Sequence, residues 1–327
     1  MNGGPLGGIK NKVIVSLALG LAVFAGLALY ADLPKLARSL SAFDWRLLPP
    51  ALAFTIGNYA LRFVKWHFYL GRIGVAGLSR PDSALVFLGG LSMVVTPGRV
   101  GEWLKSYLVR ELTGTPLSVT APIILAERLT DAVSMLALAA VGLVVYGYGW
   151  QTLLPVLLGI GFAVYLTQHR ALARQAFQPL KRLPFLAAHL GNLRAFYESS
   201  HALFRPASLG FAVALGVASW FGECLAFFLV LVGLGLPAEP VLLLQATFIL
   251  ATATIVGSVS MLPGGLVVAD GSIAGLLLLL RVVDDPATAA AATLIVRFCT
   301  LWFGVGVGAV ALAVFAPRLA RRGIRLG

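Results

Sequence analysis

Apolar stretches of about 20 residues recur along the chain, and that recurrence limits the possible folds more than any motif does. A helix rises about 1.5 Å per residue, so roughly 20 apolar residues carry it across a hydrocarbon core. Six stretches have that character: residues 13–30, 47–68, 117–146, 152–168, 206–232 and 286–316. Without water to satisfy the backbone, spans of this kind fold as α-helices. Composition agrees, with 59% hydrophobic and 12% charged residues, against roughly a quarter charged in a soluble domain. These observations predict an all-α, polytopic membrane bundle, a single membrane domain over 1–327, and exclude a soluble enzyme, a nucleic-acid binder and a secreted domain. Residues 13–30 follow Lys10 and Lys12 with no clean small-residue cleavage site and are read as a retained first helix.

Two further apolar regions do not read as ordinary spans. Residues 83–111 break at Pro97-Gly98 and continue as a charged segment, and residues 241–281 break at Pro263-Gly264-Gly265. Both are expected to form broken or re-entrant hairpins. With six full spans and two such hairpins, both termini fall on one side. Arg62, Lys65, Lys105 and most other basic residues, out of 25 in all, then lie on that side, while Lys35, Arg38, Arg46 and Arg281 lie opposite. Short positively charged loops stay cytoplasmic, so the expectation is a multi-pass protein of the plasma (inner) membrane with both termini cytoplasmic. The net charge of +12 thus speaks of topology and anionic lipid rather than nucleic acid. Residues 168–205 form a basic cytoplasmic linker with helical spacing, read as a helix along the headgroups or a docking surface for a partner. Trp45, Trp66, Trp103 and Trp150 fall near expected interfaces, as an aromatic belt does.

The linker separates two halves that share a plan. SMVVTPGRVGE (92–102) in a first repeat, 47–146, is similar to SMLPGGLVVADG (260–271) in a second, 206–316. Glu102 precedes Arg128, and Asp270 precedes Arg297, by nearly the same interval, and each arginine lies in the span that follows its break. The first hairpin enters from the cytoplasm and the second from outside, so the halves are inverted. Inverted repeats around discontinuous helices are a transporter design with a site near the midplane; simple kinks at Pro and Gly are the blander account.

Ionisable groups at membrane depth are costly and therefore point to function or to pairing. AERLTD places Glu127 and Asp131 four apart on one helix face, with Arg128 three before Asp131. Arg297 stands in the matching helix, with Glu223 and Asp270 as candidate partners. Arg suits phosphate because its planar fork gives two charge-assisted hydrogen bonds and keeps its proton. Arg128 and Arg297, with half-helix N-termini near Gly98 and Gly264, would make an anion cradle; internal ion pairing is the structural alternative. Arg99 and Glu102 suit either a cytoplasmic entrance or interfacial anchoring. No metal spacing, nucleophile motif, P-loop or dinucleotide fingerprint occurs, so neither cofactor nor metal is expected.

TPGRVGEWLKSYLVRELTGTPLSVTAPIILAERLTD (96–131) and MLPGGLVVADG (261–271) resemble the flippase-like family that includes the transmembrane region of lysylphosphatidylglycerol synthases. The resemblance covers nearly the whole chain and implies translocation of a lipid with a modified or phosphate-bearing headgroup. By matching positions it carries Arg99, Glu102, Glu127, Arg128 and Asp131 into the site. The second element departs from the family pattern, with VVADG after PGGL, so that Asp270 is a shorter carboxylate and Ala269 replaces a cation. The expected function is therefore a lipid flippase or scramblase-like transporter, not an enzyme, acting on an anionic phospholipid or polyprenyl-phosphate lipid. A non-transporting anchor or regulatory subunit of a lipid-modifying enzyme or glycosyltransferase is the alternative.

Overall fold

The computed structural model describes residues 26, 32–96, 101–146, 158–159, 161–162, 164–170 and 190–323, all of them helix, turn or loop without a strand. Trp150, residues 13–25 and 27–30 of the first expected span, residues 152–157, 160 and 163 of the fourth span and residues 171–189 of the basic linker lie outside these residues, as do Pro97, Gly98 and Arg99.

A short amphipathic helix, α1 (Leu33–Ala42), begins with a proline in its first turn and buries Leu36 against Ala287, Ala290 and Ala291. The first half continues with α2 (Leu48–Arg72), α3 (Arg80–Leu91), the break, α4 (Trp103–Thr113) and α5 (Leu117–Tyr146). Ser79 caps α3 by accepting from the Asp82 N–H, and left-handed Gly114 ends α4. After α6 (Leu190–Leu203), the second half repeats the order: α7 (Pro206–Gly233), α8 (Pro240–Val259), a break containing the 3₁₀ turn Pro263–Gly265, α9 (Val268–Leu279) and α10 (Pro286–Arg297). A π-helical turn, Phe298–Trp302, then joins α10 to α11 (Phe303–Arg321).

Packing follows the same exchange of halves. The leading helices α2 and α7 pack against each other, α3 packs on α11, and α8 packs on α5. In the first pair Phe43 meets Gly233, Asn58 donates to the Ser219 carbonyl at 2.8 Å, and Phe68 meets Phe211, so the two helices run antiparallel. Glycines admit both exchanged crossings: a Cβ on Gly308 would fall 2.8 Å from the Leu88 carbonyl oxygen, and one on Gly142 2.6 Å from Phe248. There are two main hydrophobic cores. One gathers Phe227, Ile249, Ile273 and Val296 with Met135 and Leu138 from α5. The other gathers Trp66, Phe87, Leu108 and Ile123 with Phe315 and Leu319 from α11. Each core thus draws mainly on one half, with the last helix of the other packed into it, and also takes in Phe43 and Ala51 in the first case and Leu203, Phe204 and Ala212 in the second.

Among the described residues, three helical segments are long and apolar enough to cross a membrane: Pro206–Gly233, Pro240–Val259 and Pro286–Arg321. The 25 residues of α2 and 30 of α5, about 38 and 45 Å at the helical rise, also have spanning length but carry charge. The second broken region departs from expectation here. Its first arm, α8, is 20 residues long, carries no charged residue and is apolar enough to cross a membrane, so only α9 is a short arm. The first region keeps two short arms, of 12 and 11 residues.

Candidate functional site

Seven charged residues of the first half, Arg62, Lys65, Glu102, Lys105, Glu127, Arg128 and Asp131, converge in one buried region. Arg62 and Lys65 lie one turn apart on α2 and face Asp131 of α5: Lys65 Nζ is 2.6 Å from Asp131 Oδ1, and Arg62 Nη2 is 3.7 Å from Oδ2. Arg128 Nη2 is 3.4 Å from both Asp131 Oδ2 and Glu102 Oε2. Lys105 of α4 pairs with Glu127 and sits 4.9 Å from the centre of the Trp66 ring. Hydroxyls extend the network, since Lys65 Nζ reaches Thr130 Oγ1 at 3.4 Å and Thr130 Oγ1 is 3.3 Å from the Tyr69 hydroxyl.

Moving an ion out of water costs several kcal/mol even after relaxation, so such groups persist only when paired and hydrogen-bonded. Lys65 is 1% exposed, Glu102 and Glu127 3%, and Asp131 and Lys105 5%. With Glu223 of α7, which interacts electrostatically with Arg62, cations and carboxylates balance. Arg62 also stacks over Trp220 of α7 at 5.5 Å.

The second half contributes a smaller arrangement at its own break. Arg297, the last residue of α10, places Nε 2.5 Å from Asp270 Oδ1 and donates from Nη2 to the Gly264 carbonyl at 2.8 Å. Asp270 Oδ2 accepts the Val267 N–H at 3.0 Å, which caps α9. Gly264 and Gly265 have φ of 59° and 67°, a backbone that glycine adopts without a Cβ penalty, and a Cβ on Gly265 would fall 3.3 Å from Gly257 of α8.

Between these arrangements lies a cavity of about 80 Å³, lined by Arg62 and Tyr59 of α2, Trp220 and Glu223 of α7, and Arg297 together with the Gly264-Gly265 turn. The space has the size of a small polar group rather than of a whole lipid. The π-helical turn borders it through Thr300 and Leu301, and the Tyr59 hydroxyl donates to the Thr300 carbonyl at 3.3 Å.

Glu102, Glu127, Arg128 and Asp131 thus come together, as do Asp270, Arg297 and the Pro263-Gly264-Gly265 break. The two expected arginines do not share one cavity: Arg297 lines it, and the cation from the first half that does so is Arg62, with Arg128 set among Glu102 and Asp131. Arg62, Lys65 and Lys105 were expected among cytoplasmic basic residues, but all three are held inside the bundle by carboxylates. Their positions inside the helical stretch Leu48–Arg72 and beside the first break were the available signal. Trp66 likewise leaves the expected belt: it is 0% exposed and donates to Ser83 Oγ at 3.2 Å, whereas Trp45 and Trp103 are 54% and 46% exposed. Among the described residues no cluster of His, Cys, Asp and Glu has the form of a metal site.

Comparison with known proteins gives the same architecture a family. Two proteins of Methanothermobacter thermautotrophicus, each described as a UPF0104 membrane protein, are similar over nearly their whole lengths. One is 27% identical over 92% of this chain and 93% of its own, the other 22% identical over 96% and 98%. The family described as the lysylphosphatidylglycerol synthase transmembrane region matches residues 17–308. With a match over most of its length, this chain belongs to that family of membrane proteins.

Proposed function

We propose that the protein is a flippase or scramblase-like transporter that moves a phosphate-bearing lipid headgroup through the cavity between its halves, without catalysing a covalent reaction. The observation that carries this reading is the meeting of Arg62 and Arg297, one from each half, at one cavity. Guanidinium groups bind phosphate oxygens through paired charged hydrogen bonds, and at membrane depth such groups mark substrate paths. The cavity volume of about 80 Å³ fits a headgroup whose acyl chains stay in lipid.

Arg62 is the cation most readily lent to a substrate. Its contact with Asp131 is the longest in the network at 3.7 Å, and Asp131 keeps Lys65 at 2.6 Å when Arg62 turns away. The repeated element order, the exchanged contacts and the antiparallel α2 and α7 support an inverted repeat with its site at the interface of the halves. An anionic phospholipid or polyprenyl-phosphate lipid is the substrate class, in the plasma membrane, with both termini cytoplasmic.

The test is headgroup accessibility of fluorescent phosphatidylglycerol and of a fluorescent polyprenyl phosphate in proteoliposomes. The native chain should exchange at least one between leaflets, and Arg62→Ala and Arg297→Ala should each slow exchange at least tenfold, the loss of about 1.4 kcal/mol or more. No exchange of either lipid by the native chain, or full exchange by both variants, rejects the reading.

A further inference from the structure

The loop Met261–Val267 is both the wall of the cavity and part of the protein's outer surface. Gly264 and Gly265 line the cavity and are buried, while Met261, Leu262 and Val267 on the same loop are 75%, 37% and 51% exposed. The barrier at this point is one chain segment thick. Its exposed side is apolar, which suits acyl chains, and its inner side meets Arg297.

That segment is held in a strained form. Met261 and Val267 have φ of 54° and 71°, and for a β-branched residue such a value is an outlier. The Val268 N–H donates to the Leu266 carbonyl at 2.9 Å across Val267, whose ψ is −59°; this is the rare, strained positive-φ γ-turn. Strained backbone persists only where the surroundings over-determine it. Here the surroundings are two side chains: Asp270 Oδ2 accepts the Val267 N–H at 3.0 Å, and Arg297 holds both the Gly264 carbonyl at 2.8 Å and Asp270 Oδ1 at 2.5 Å. A single guanidinium therefore fastens the loop at its middle directly and at its Val267 end through Asp270.

We propose that Arg297, Asp270 and the Gly264 carbonyl form a latch on a gate made by Met261–Val267, and that the phosphate group of an anionic lipid opens it by taking Arg297. This rests on the reading of the cavity as a phosphate-headgroup site. A phosphate reaching Arg297 competes with the Gly264 carbonyl, which accepts from Nη2, and with the Asp270 carboxylate, its ion-pair partner, for the same guanidinium. Once it is taken, the strained γ-turn loses its hold and the loop relaxes outward, widening the cavity towards lipid. Asp270 acts as a positioning residue for the gate through Arg297 and Val267.

The gate is tested by thiol labelling, independently of transport. Leu266 is 3% exposed and packs with Val95 and Leu301, so in a Cys224→Ala, Cys299→Ala background Leu266→Cys reports an open loop. In neutral phosphatidylcholine vesicles the native latch should keep labelling slow, and Asp270→Asn should raise the rate about tenfold or more, since charged hydrogen bonds contribute about 1.5–3 kcal/mol. Adding phosphatidylglycerol to the vesicles should raise the native rate, and raise the already faster Asp270→Asn rate by a smaller factor. Val267→Gly, which relieves the strain with both fastenings kept, should slow labelling in phosphatidylglycerol. It also serves as the deciding variant if Asp270→Asn fails to fold. Equal rates in both vesicle types overturn the gate, as does a Val267→Gly rate equal to or above the native one. Acceleration by inorganic phosphate but not by phosphatidylglycerol overturns the lipid as its key. Lipid-dependent labelling in a chain that moves no lipid keeps the gate and rejects transport.

Discussion

At matching places in the two halves, charge is arranged in opposite ways. After the first break, Asp131 is shared by Lys65, Arg62 and Arg128, and Glu127 is matched by Lys105. After the second, Asp270 has Arg297 as its ion-pair partner and spends its other oxygen on backbone. Shared charge of the first kind is hard to disturb, because Asp131 keeps two cations when one leaves and Arg128 keeps Glu102. A pair that also holds backbone transmits any disturbance to the loop it holds. The difference assigns the first half the work of a fixed polar scaffold and the second half the work of a moving part.

Asp131→Ala is the strongest way to break this comparison. It leaves Lys65, 1% exposed, without its carboxylate, and an uncompensated buried charge costs about 3–5 kcal/mol. Unfolding in detergent micelles should show a loss of that order. A loss below about 1 kcal/mol would mean that Lys65 escapes to water and that the scaffold is looser than its geometry implies.

Lys105 and Glu127 sharpen the same point. Glu127→Leu alone should cost about 3 kcal/mol, whereas Lys105→Met with Glu127→Leu should recover most of that, because replacing a whole buried pair by apolar groups is near neutral. The double-mutant cycle in micelles checks the recovery. At the second break, Asp270→Asn should cost less, about 1–2 kcal/mol, since Arg297 keeps the Gly264 carbonyl and an amide still accepts from Val267. Its stability change in the same micelles should therefore lie below that of Asp131→Ala.

The scaffold was legible in sequence to the extent that length and apolarity define it. Residues 117–146 form the helix Leu117–Tyr146, and the span at 206–232 is the helix Pro206–Gly233. Glu127, Arg128 and Asp131 declare themselves as charges in the middle of an apolar helix, and Asp270 and Arg297 do the same. Arg62, Lys65 and Lys105 did not, because a cation near the end of an apolar stretch reads as an interfacial anchor until its partner is known, and that partner sits 22 residues away in sequence for Lys105 and 66 for Lys65, and further still for Arg62. The pairing of Arg62 with Arg297 at one cavity depends on the antiparallel docking of α2 on α7, which no local pattern encodes. The strained turn at Val267 was equally hidden, since valine is a residue that sequence reasoning places in extended backbone. The full length of α8 was masked by reading the Pro263-Gly264-Gly265 break as the middle of its segment rather than its end.

The smallest effect belongs to a pair that lies outside both regions and calibrates them. Arg170 Nη2 is 3.4 Å from Glu198 Oε2 of α6, about as close as Arg128 is to Asp131, yet its side chains are 51% and 62% exposed. In water the ions keep most of their hydration when separated, so the pair contributes little, and Glu198→Ala should change unfolding stability by less than about 0.5 kcal/mol. Raising the salt concentration should leave even that difference smaller. If Glu198→Ala costs as much as Asp131→Ala, then pairing alone, rather than burial of the pair, sets the energy of these contacts. The distinction between a buried scaffold and a releasable latch would then have to rest on backbone strain alone.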